Sequence, residues 1–229
     1  GEPGYLGWYI HANILLVGCN SMEASRFKEL RRGYGFDDVA IVPGEVTINP
    51  DQTDVGFSLG GFSFELPFLA SAVDAVVSPR FAVAMAKSGG LAILNLEGVY
   101  TRYEDPYSQI REVIESSSNE ATPFLQRMYS EPIQENLIGE RVQEMKRMGG
   151  VSAVSVTPAN TKRYAQVAAE AGADIIVIQS TVTTARHISK SEKGLVISDI
   201  CKELNVPVVV GNTVTYGATM ELMETGIQG

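Results

Sequence analysis

PFLASAVDAVVSPRFAVAMAKSGGLAILN, residues 67–95, holds one complete structural unit. An apolar run at Pro67–Ala72 gives way to a turn, and a second apolar run follows at Leu91–Asn95. Between them Ser78 is a natural N-cap, Pro79 suits the first helical position, and Gly89-Gly90 supply a left-handed stop after a helix over Phe81–Ser88. A strand, a helix and a strand in that order argue for parallel strands joined by a crossover helix. The same grammar predicts strands at Val151–Val156, Asp174–Gln179 and Pro207–Gly211. It also predicts helices over Thr161–Ala171, capped by Asn160 with Gly172 beyond, and over Thr215–Thr225, stopped by Gly226.

Ahead of this series, Val55–Phe68 alternates around Gly60-Gly61 as a small hairpin would, expected to plug the bottom of a barrel or frame its mouth. Residues 101–150 read as two helices, Tyr107–Ile114 and Asn136–Met148, separated by a polar loop at Glu115–Glu120. The charges there (Arg111, Glu112, Glu115, Glu140, Arg141, Glu144, Lys146, Arg147) sit at helical spacings and predict a solvated face.

With 229 residues, 45% hydrophobic and 20% charged, the chain has enough for one sizeable soluble core. A (β/α)8 barrel typically takes about 250 residues. The expected fold class is α/β, a partial parallel barrel; if the whole is a (β/α)8 TIM barrel, the first five β/α units lie in this chain, with Ile227-Gln228-Gly229 where a sixth strand should begin. Five units cannot close an eight-strand barrel, and an open parallel edge is expected.

Eighteen Lys+Arg against 27 Asp+Glu give a net charge of −9, which repels polyphosphate backbones, so nucleic acid is not an expected partner. Two cysteines, Cys19 and Cys201, cannot form a disulfide framework or a four-ligand zinc site, and a reducing cytoplasm is the expected compartment. The apolar stretch Leu6–Cys19 spans about fourteen residues, short of the roughly twenty that cross a bilayer, so no membrane association is expected. Leu16-Val17-Gly18-Cys19 could be a lipoprotein cleavage box, but no basic segment precedes it. The preferred reading takes residues 1–21, including Trp8 and His11, as an upstream or non-native extension ahead of a helix-prone Met22–Arg32. Residues 22–66 then form an N-terminal arm and hairpin, and residues 67–229 a partial barrel.

Parallel α/β folds gather functional residues at the C-terminal ends of their strands. Here those positions are Ser71 and Asp74, Asn95 and Glu97, Thr157 and Asn160, Gln179 with Ser180, Thr181 and Thr183, and Asn212 with Thr213 and Thr215. Such a rim of hydroxyls and amides suits sugars or the edges of a base. Asp74 is expected to fix loop backbone. No nucleophile–base pair is evident. Cys201 reads as a buried structural thiol in the helix before the fifth strand, and His187, beside Arg186, as an exposed loop histidine. Metal-ligand spacings, a phosphate-binding glycine loop and a nucleophile elbow are all missing, so no metal site is expected.

Tyr34-Gly35-Phe36-Asp37-Asp38-Val39-Ala40-Ile41-Val42-Pro43-Gly44 resembles the F-D-D-V…V-P opening of the IMP dehydrogenase/GMP reductase family. Ser71-Ala72-Val73-Asp74-Ala75-Val76 is similar to that family's S-x-M-D-T-V, and Ala84–Leu91 to its A-x-A-x-x-G-G-[IL]. Val210-Gly211-Asn212-Thr213-Val214-Thr215 resembles its G-G-N-V-x-T. Four segments in the family's order are far more specific than any one of them.

The resemblance implies a (β/α)8 barrel that binds a purine nucleotide and a nicotinamide dinucleotide at its rim. In the family a loop cysteine attacks C2 of the purine and a hydride passes to or from the cofactor. The implied activity is NAD-dependent oxidation of IMP to XMP in purine and GMP biosynthesis, or alternatively NADPH-dependent conversion of GMP to IMP. Residues 101–150 are too short for the family's regulatory CBS insert, which points to the CBS-less dehydrogenase-related branch, as does Asn95-Leu96-Glu97-Gly98-Val99.

By the same resemblance Ser71, Val73 (in place of the usual Met) and Asn212 are substrate-binding, and Gln179, Ser180 and Thr181 cofactor-binding. Gln179 stands where dehydrogenases carry an Asp on the nicotinamide ribose. The catalytic cysteine loop, with the K+ site, is expected beyond Gly229, so no catalytic residue is assigned in this chain. It reads as a truncated N-terminal part, inactive alone and homotetrameric when full length, the alternative being a non-catalytic half-barrel binding module.

Overall fold

The computed structural model describes residues 32–185 and 195–229. The N-terminal extension, all but the last residue of the helix expected at Met22–Arg32, and the Arg186-His187 loop lie outside the described residues. The chain divides into two units, Gly1–Gln52 and Thr53–Gly229. In the first, the described part carries two single-turn 3-10 helices, Phe36–Asp38 and Pro50–Gln52. The Asp38 carboxylate accepts the Gly35 N–H at 2.8 Å and closes the first of these turns.

The second unit opens with the expected hairpin, β1 (Phe57–Leu59) antiparallel to β2 (Phe62–Phe64). Gly60 and Gly61 take φ of 58° and 87°, the two left-handed positions of a tight turn whose twist matches the strands. Five parallel strands follow in the order β3 (Leu69–Ala70), β4 (Leu91–Asn95), β5 (Ala153–Val156), β6 (Ile175–Gln179) and β7 (Val208–Gly211). Spatial order equals chain order, which is the topology of a curled half-barrel. The first parallel strand is shorter than the expected Pro67–Ala72. It is an edge, and the chain turns away at once, Val73 N–H bonding Ser71 C=O at 2.8 Å. At the other edge Gln228 N–H reaches Val208 C=O at 2.8 Å and Val210 N–H reaches Gly229 C=O at 3.1 Å, so the last two residues lie along β7.

Strand side chains alternate between two cores. Ala92, Leu94, Val154, Val156, Ile176, Ile178, Val208 and Val210 face the helices. Leu91, Ile93, Ala153 and Ile175 face the other way, onto Phe64 and the partly buried Phe57, Leu59 and Phe62 of the hairpin. Both faces are covered, which is why the strands read as continuous apolar runs, and each fully buried Ile or Leu contributes on the order of 1.5–3 kcal/mol. The hairpin turn abuts the N-terminal end of β7 so closely that a Cβ on Gly60 would fall 2.4 Å from Pro207. It therefore plugs the bottom of the half-barrel and leaves the C-terminal end free of it.

The helices are α1 (Pro79–Lys87), α2 (Pro106–Glu115), α3 (Ser118–Ser130), α4 (Glu135–Arg147), α5 (Gln166–Glu170), α6 (Ile197–Glu203) and α7 (Tyr216–Met223). The Ser78 cap forms as expected, its Oγ accepting the Phe81 N–H at 3.0 Å, whereas Thr215, read as the first helical residue, instead caps α7, its Oγ1 accepting the Ala218 N–H at 3.2 Å. The connection after β4 differs from its expectation. The polar run read as a loop contains the start of α3, because Ser117 and Glu120 form a capping box in which Glu120 accepts from the Ser117 hydroxyl at 2.6 Å and its N–H at 3.3 Å. Phe124 and Met128 of this helix enter the core.

Arg141 also departs from the solvated face assigned to it. Its side chain is 13% exposed and donates to the carbonyls of Tyr100, Tyr103 and Glu104, fastening the start of the connection to α4. Among the described residues, no helix is long and apolar enough to cross a membrane.

Candidate functional site

The inward face of the sheet changes character along the strands. Asn95 continues the series of Leu91 and Ile93, Ser155 that of Ala153, and Gln179 that of Ile175 and Val177. Asn95 pairs with Ser155 across β4 and β5, and Gln179 with Gly211 across β6 and β7. An apolar floor thus gives way to amides and a hydroxyl at the C-terminal end. Ser155, 4% exposed, was not among the residues singled out from the sequence. Its one signal is being a polar residue of even register inside an apolar strand.

Above this layer the loops are tied to one another. Asn95 Oδ1 accepts the Glu97 N–H at 3.0 Å, turning the chain back over the end of β4. The Glu97 carboxylate then accepts the Thr157 N–H at 2.6 Å and the Asn160 side-chain amide at 2.8 Å. Asn160 therefore does not cap the next helix: its side chain is spent on Glu97, and the chain passes through a π-helical turn, Thr161–Ala165, into the short α5.

The loop after β3 is held by Asp74. Its Oδ2 accepts the Val99 N–H and the Tyr129 hydroxyl, each at 2.7 Å, so the residue fixes loop backbone as expected. Its Oδ1 is buried without a partner and lies against Gly98, where a Cβ would come within 1.9 Å. Gly98 is the one residue type that fits. Burial, then the bond to Asp74, raises the Tyr129 pKa, and burial with Tyr107 and Asp74 nearby pushes Tyr100 up to about 12. Both phenols are proton donors at neutral pH.

The loops after β6 and β7 are zipped together. Ser180 N–H bonds Gly211 C=O at 2.8 Å, and Asn212 N–H returns to Ser180 C=O at 2.9 Å. Thr183 adds bonds from its N–H to Asn212 C=O at 2.7 Å and from its hydroxyl to Gly211 C=O at 2.8 Å. The structure thus brings Gln179, Ser180 and Asn212 together and leaves the side chains of Thr181 and Asn212 exposed. Ser71 and Val73, also exposed, lie on the opposite edge with β4, β5 and β6 between. Chemically this is a rim of neutral hydrogen-bonding groups whose two carboxylate bridges are already engaged, Glu97 by backbone and amide donors and Asp74 by a backbone N–H and a phenol.

Other polar features lie elsewhere. Cys201 sits on α6 with its thiol pKa raised by burial. Among the described residues, no group of three or more His, Cys, Asp or Glu is placed to hold a metal ion. The clefts lined by Gly60, Leu204 and Pro207, and by Phe64, Lys87 and Gly89, border the hairpin at the other end of the strands.

The family model for the IMP dehydrogenase / GMP reductase domain matches residues 33–229. An uncharacterized oxidoreductase of Mycolicibacterium smegmatis is 33% identical over 213 residues, 91% of this chain and 57% of that protein. An inosine-5'-monophosphate dehydrogenase of Cryptosporidium parvum is 28% identical over 217 residues, 88% of this chain and 51% of that protein. The crystal structure of an IMP dehydrogenase/GMP reductase-like protein from Corynebacterium glutamicum superimposes with a TM-score of 0.80 at 32% identity, covering 90% of this chain and 55% of that one. The chain spans about half the length of the relatives it matches. A model match over most of the sequence, a parallel half-barrel with a polar C-terminal rim and a close structural likeness converge: the chain belongs to the IMP dehydrogenase/GMP reductase family.

Proposed function

We propose that this chain is part of a purine nucleotide oxidoreductase that oxidises IMP to XMP with NAD as acceptor, within a (β/α)8 barrel that the five strands described here begin. The observation that carries the reading is the rim: hydroxyl and amide side chains at the C-terminal strand ends, on the segments shared with the family, above an apolar floor. Ser71 and Asn212 are exposed at the two edges of that rim, where a nucleotide lying across the mouth would meet both, and Val73 offers apolar contact beside Ser71. In this reading the residues near β6 suit the dinucleotide: Gln179 offers a neutral acceptor for ribose hydroxyls, and Thr181 an exposed hydroxyl, while the backbone of Ser180 is already engaged with β7. NAD supplies the hydride acceptor when bound. The protein's own part is orientation, by loops that Glu97, Asp74 and Thr183 hold in place.

The balanced reaction is IMP, NAD+ and water giving XMP, NADH and a proton. No nucleophile is assigned among the described residues, so the covalent step, its monovalent cation, the cytoplasmic setting and tetrameric assembly belong to the full-length protein in this proposal. The test is turnover by that protein with IMP plus NAD and, separately, GMP plus NADPH, followed at the nicotinamide absorbance. NADH formation with IMP is expected. Turnover confined to GMP and NADPH would replace the reading with a reductase, and no turnover in either direction by a folded protein would overturn it. The 229-residue chain alone is expected to show no turnover.

A further inference from the structure

We propose that Tyr129 is a positioning residue for the loop Ser71–Val77, acting through Asp74, and so sets the affinity of the nucleotide site described above; the affinity part rests on that reading. The loop is turned on itself by bonds from Val73 N–H to Ser71 C=O (2.8 Å) and from the N–H groups of Val76 and Val77 to Val73 C=O (2.8 and 2.9 Å). Those bonds give it a shape without fixing its place on the rim. The Asp74 side chain supplies the place, since its Oδ2 joins Val99 of the neighbouring loop and Tyr129 of α3. The other oxygen cannot take over either bond: it is buried against Gly98 with no partner.

Tyr129 is itself braced. The Arg102 guanidinium lies 5.8 Å from its ring and donates to Glu97 C=O at 3.0 Å, and it also donates to Glu131 C=O just past α3. The excursion α2–α3 therefore bears on the candidate nucleotide loop through this phenol–carboxylate hydrogen bond, while Val77 at the loop's end packs in the core that also holds Phe124 and Met128 of α3. A ligand whose binding needs Ser71 and Val73 in register gains affinity from that bond through preorganisation.

The experiment compares Tyr129→Phe with Tyr103→Phe in the full-length protein. Tyr103 donates to Met128 C=O at 3.1 Å, so its loss removes a phenol bond from the same helix without reaching the loop. Amide hydrogen exchange across residues 71–77 and isothermal titration with IMP are the two readouts. Loss of exchange protection in Y129F, with IMP affinity about five- to tenfold weaker and Y103F unchanged in both, supports the proposal. Unchanged protection in Y129F, or equal weakening of IMP in both variants, overturns it. If the wild-type protein binds no purine nucleotide, the functional reading falls, and exchange alone decides the positioning role.

Discussion

The carboxylate of Glu97 accepts the backbone N–H of Thr157 at 2.6 Å, sixty residues along the chain, and the same group takes the Asn160 amide at 2.8 Å. One side chain thus joins the loops that follow β4 and β5, two of the five strand ends that make up the rim of the half-barrel. The bond matters because the Thr157 amide lies just past the last ladder residue of β5, where no neighbouring strand offers it an acceptor.

Glu97→Gln is expected to destabilise the protein. The amide nitrogen that replaces one carboxylate oxygen must face either the Thr157 N–H or the Asn160 amide, and one donor loses its acceptor. Leaving such a group unsatisfied costs about 1–3 kcal/mol. Urea unfolding should show a lower midpoint at unchanged slope; a shift equivalent to under about 0.5 kcal/mol would mean that water replaces the carboxylate freely.

Gly98→Ala is expected to be worse than a glycine-to-alanine change in an ordinary loop. The new methyl falls 1.9 Å from Asp74 Oδ1, so the carboxylate must leave, taking the Val99 and Tyr129 bonds with it. A loss of about 2–4 kcal/mol is expected. Adding Asp74→Ala should restore part of it, since residues in contact couple. Strictly additive effects of the two substitutions in a double-mutant cycle would show that the clash is relieved elsewhere.

How much of this could be read in the sequence follows from range. β4 has the bounds expected of it, Leu91–Asn95, and the Gly60-Gly61 hairpin forms, because period-two patterning and turn chemistry are local. α3 was hidden because Ser116, Ser117, Ser118 and Asn119 look like loop, and only the Ser117–Glu120 pair marks a helix start. Asn160 carried a true local signal for a cap, but a long-range partner, Glu97, outbids it. Tyr129 and Asp74 are 55 positions apart, and nothing in either neighbourhood foretells the bond. Ser71, Gln179 and Asn212 emerged as strand-end residues; the mutual tie between Ser180 and Asn212 needed the register of β6 and β7.

Acid stability should depend on Asp174. Burial opposes its ionisation, yet the Lys146 ammonium at 2.7 Å and bonds from the Ser152 N–H and hydroxyl, both at 2.8 Å, outweigh it and hold the pKa below its ordinary 3.8. A depressed folded-state pKa contributes stability that is complete above the unfolded value and is lost as pH falls through the folded one. Denaturation midpoints should therefore drop below about pH 4, and Asp174→Asn should flatten that part of the profile while lowering stability at neutral pH. An identical acid limb in the variant would place the titration in other carboxylates.

Gln179 provides the sharpest test of the cofactor assignment. It stands on the inward face at the end of β6, paired with Gly211, and offers a neutral acceptor. If ribose hydroxyls of NAD dock there, Gln179→Asp replaces that acceptor with a charged one, and charge-assisted bonds are roughly twice as strong. The KM for NAD should fall about fivefold, equivalent to about 1 kcal/mol, with the KM for IMP unchanged. Gln179→Leu removes the acceptor at similar volume and should raise the NAD KM by a comparable factor. Steady-state kinetics of the full-length protein with each substrate varied in turn separates these effects. A leucine variant with wild-type NAD KM would remove Gln179 from the cofactor site and leave the ribose to Thr181 and the opposite edge of the rim.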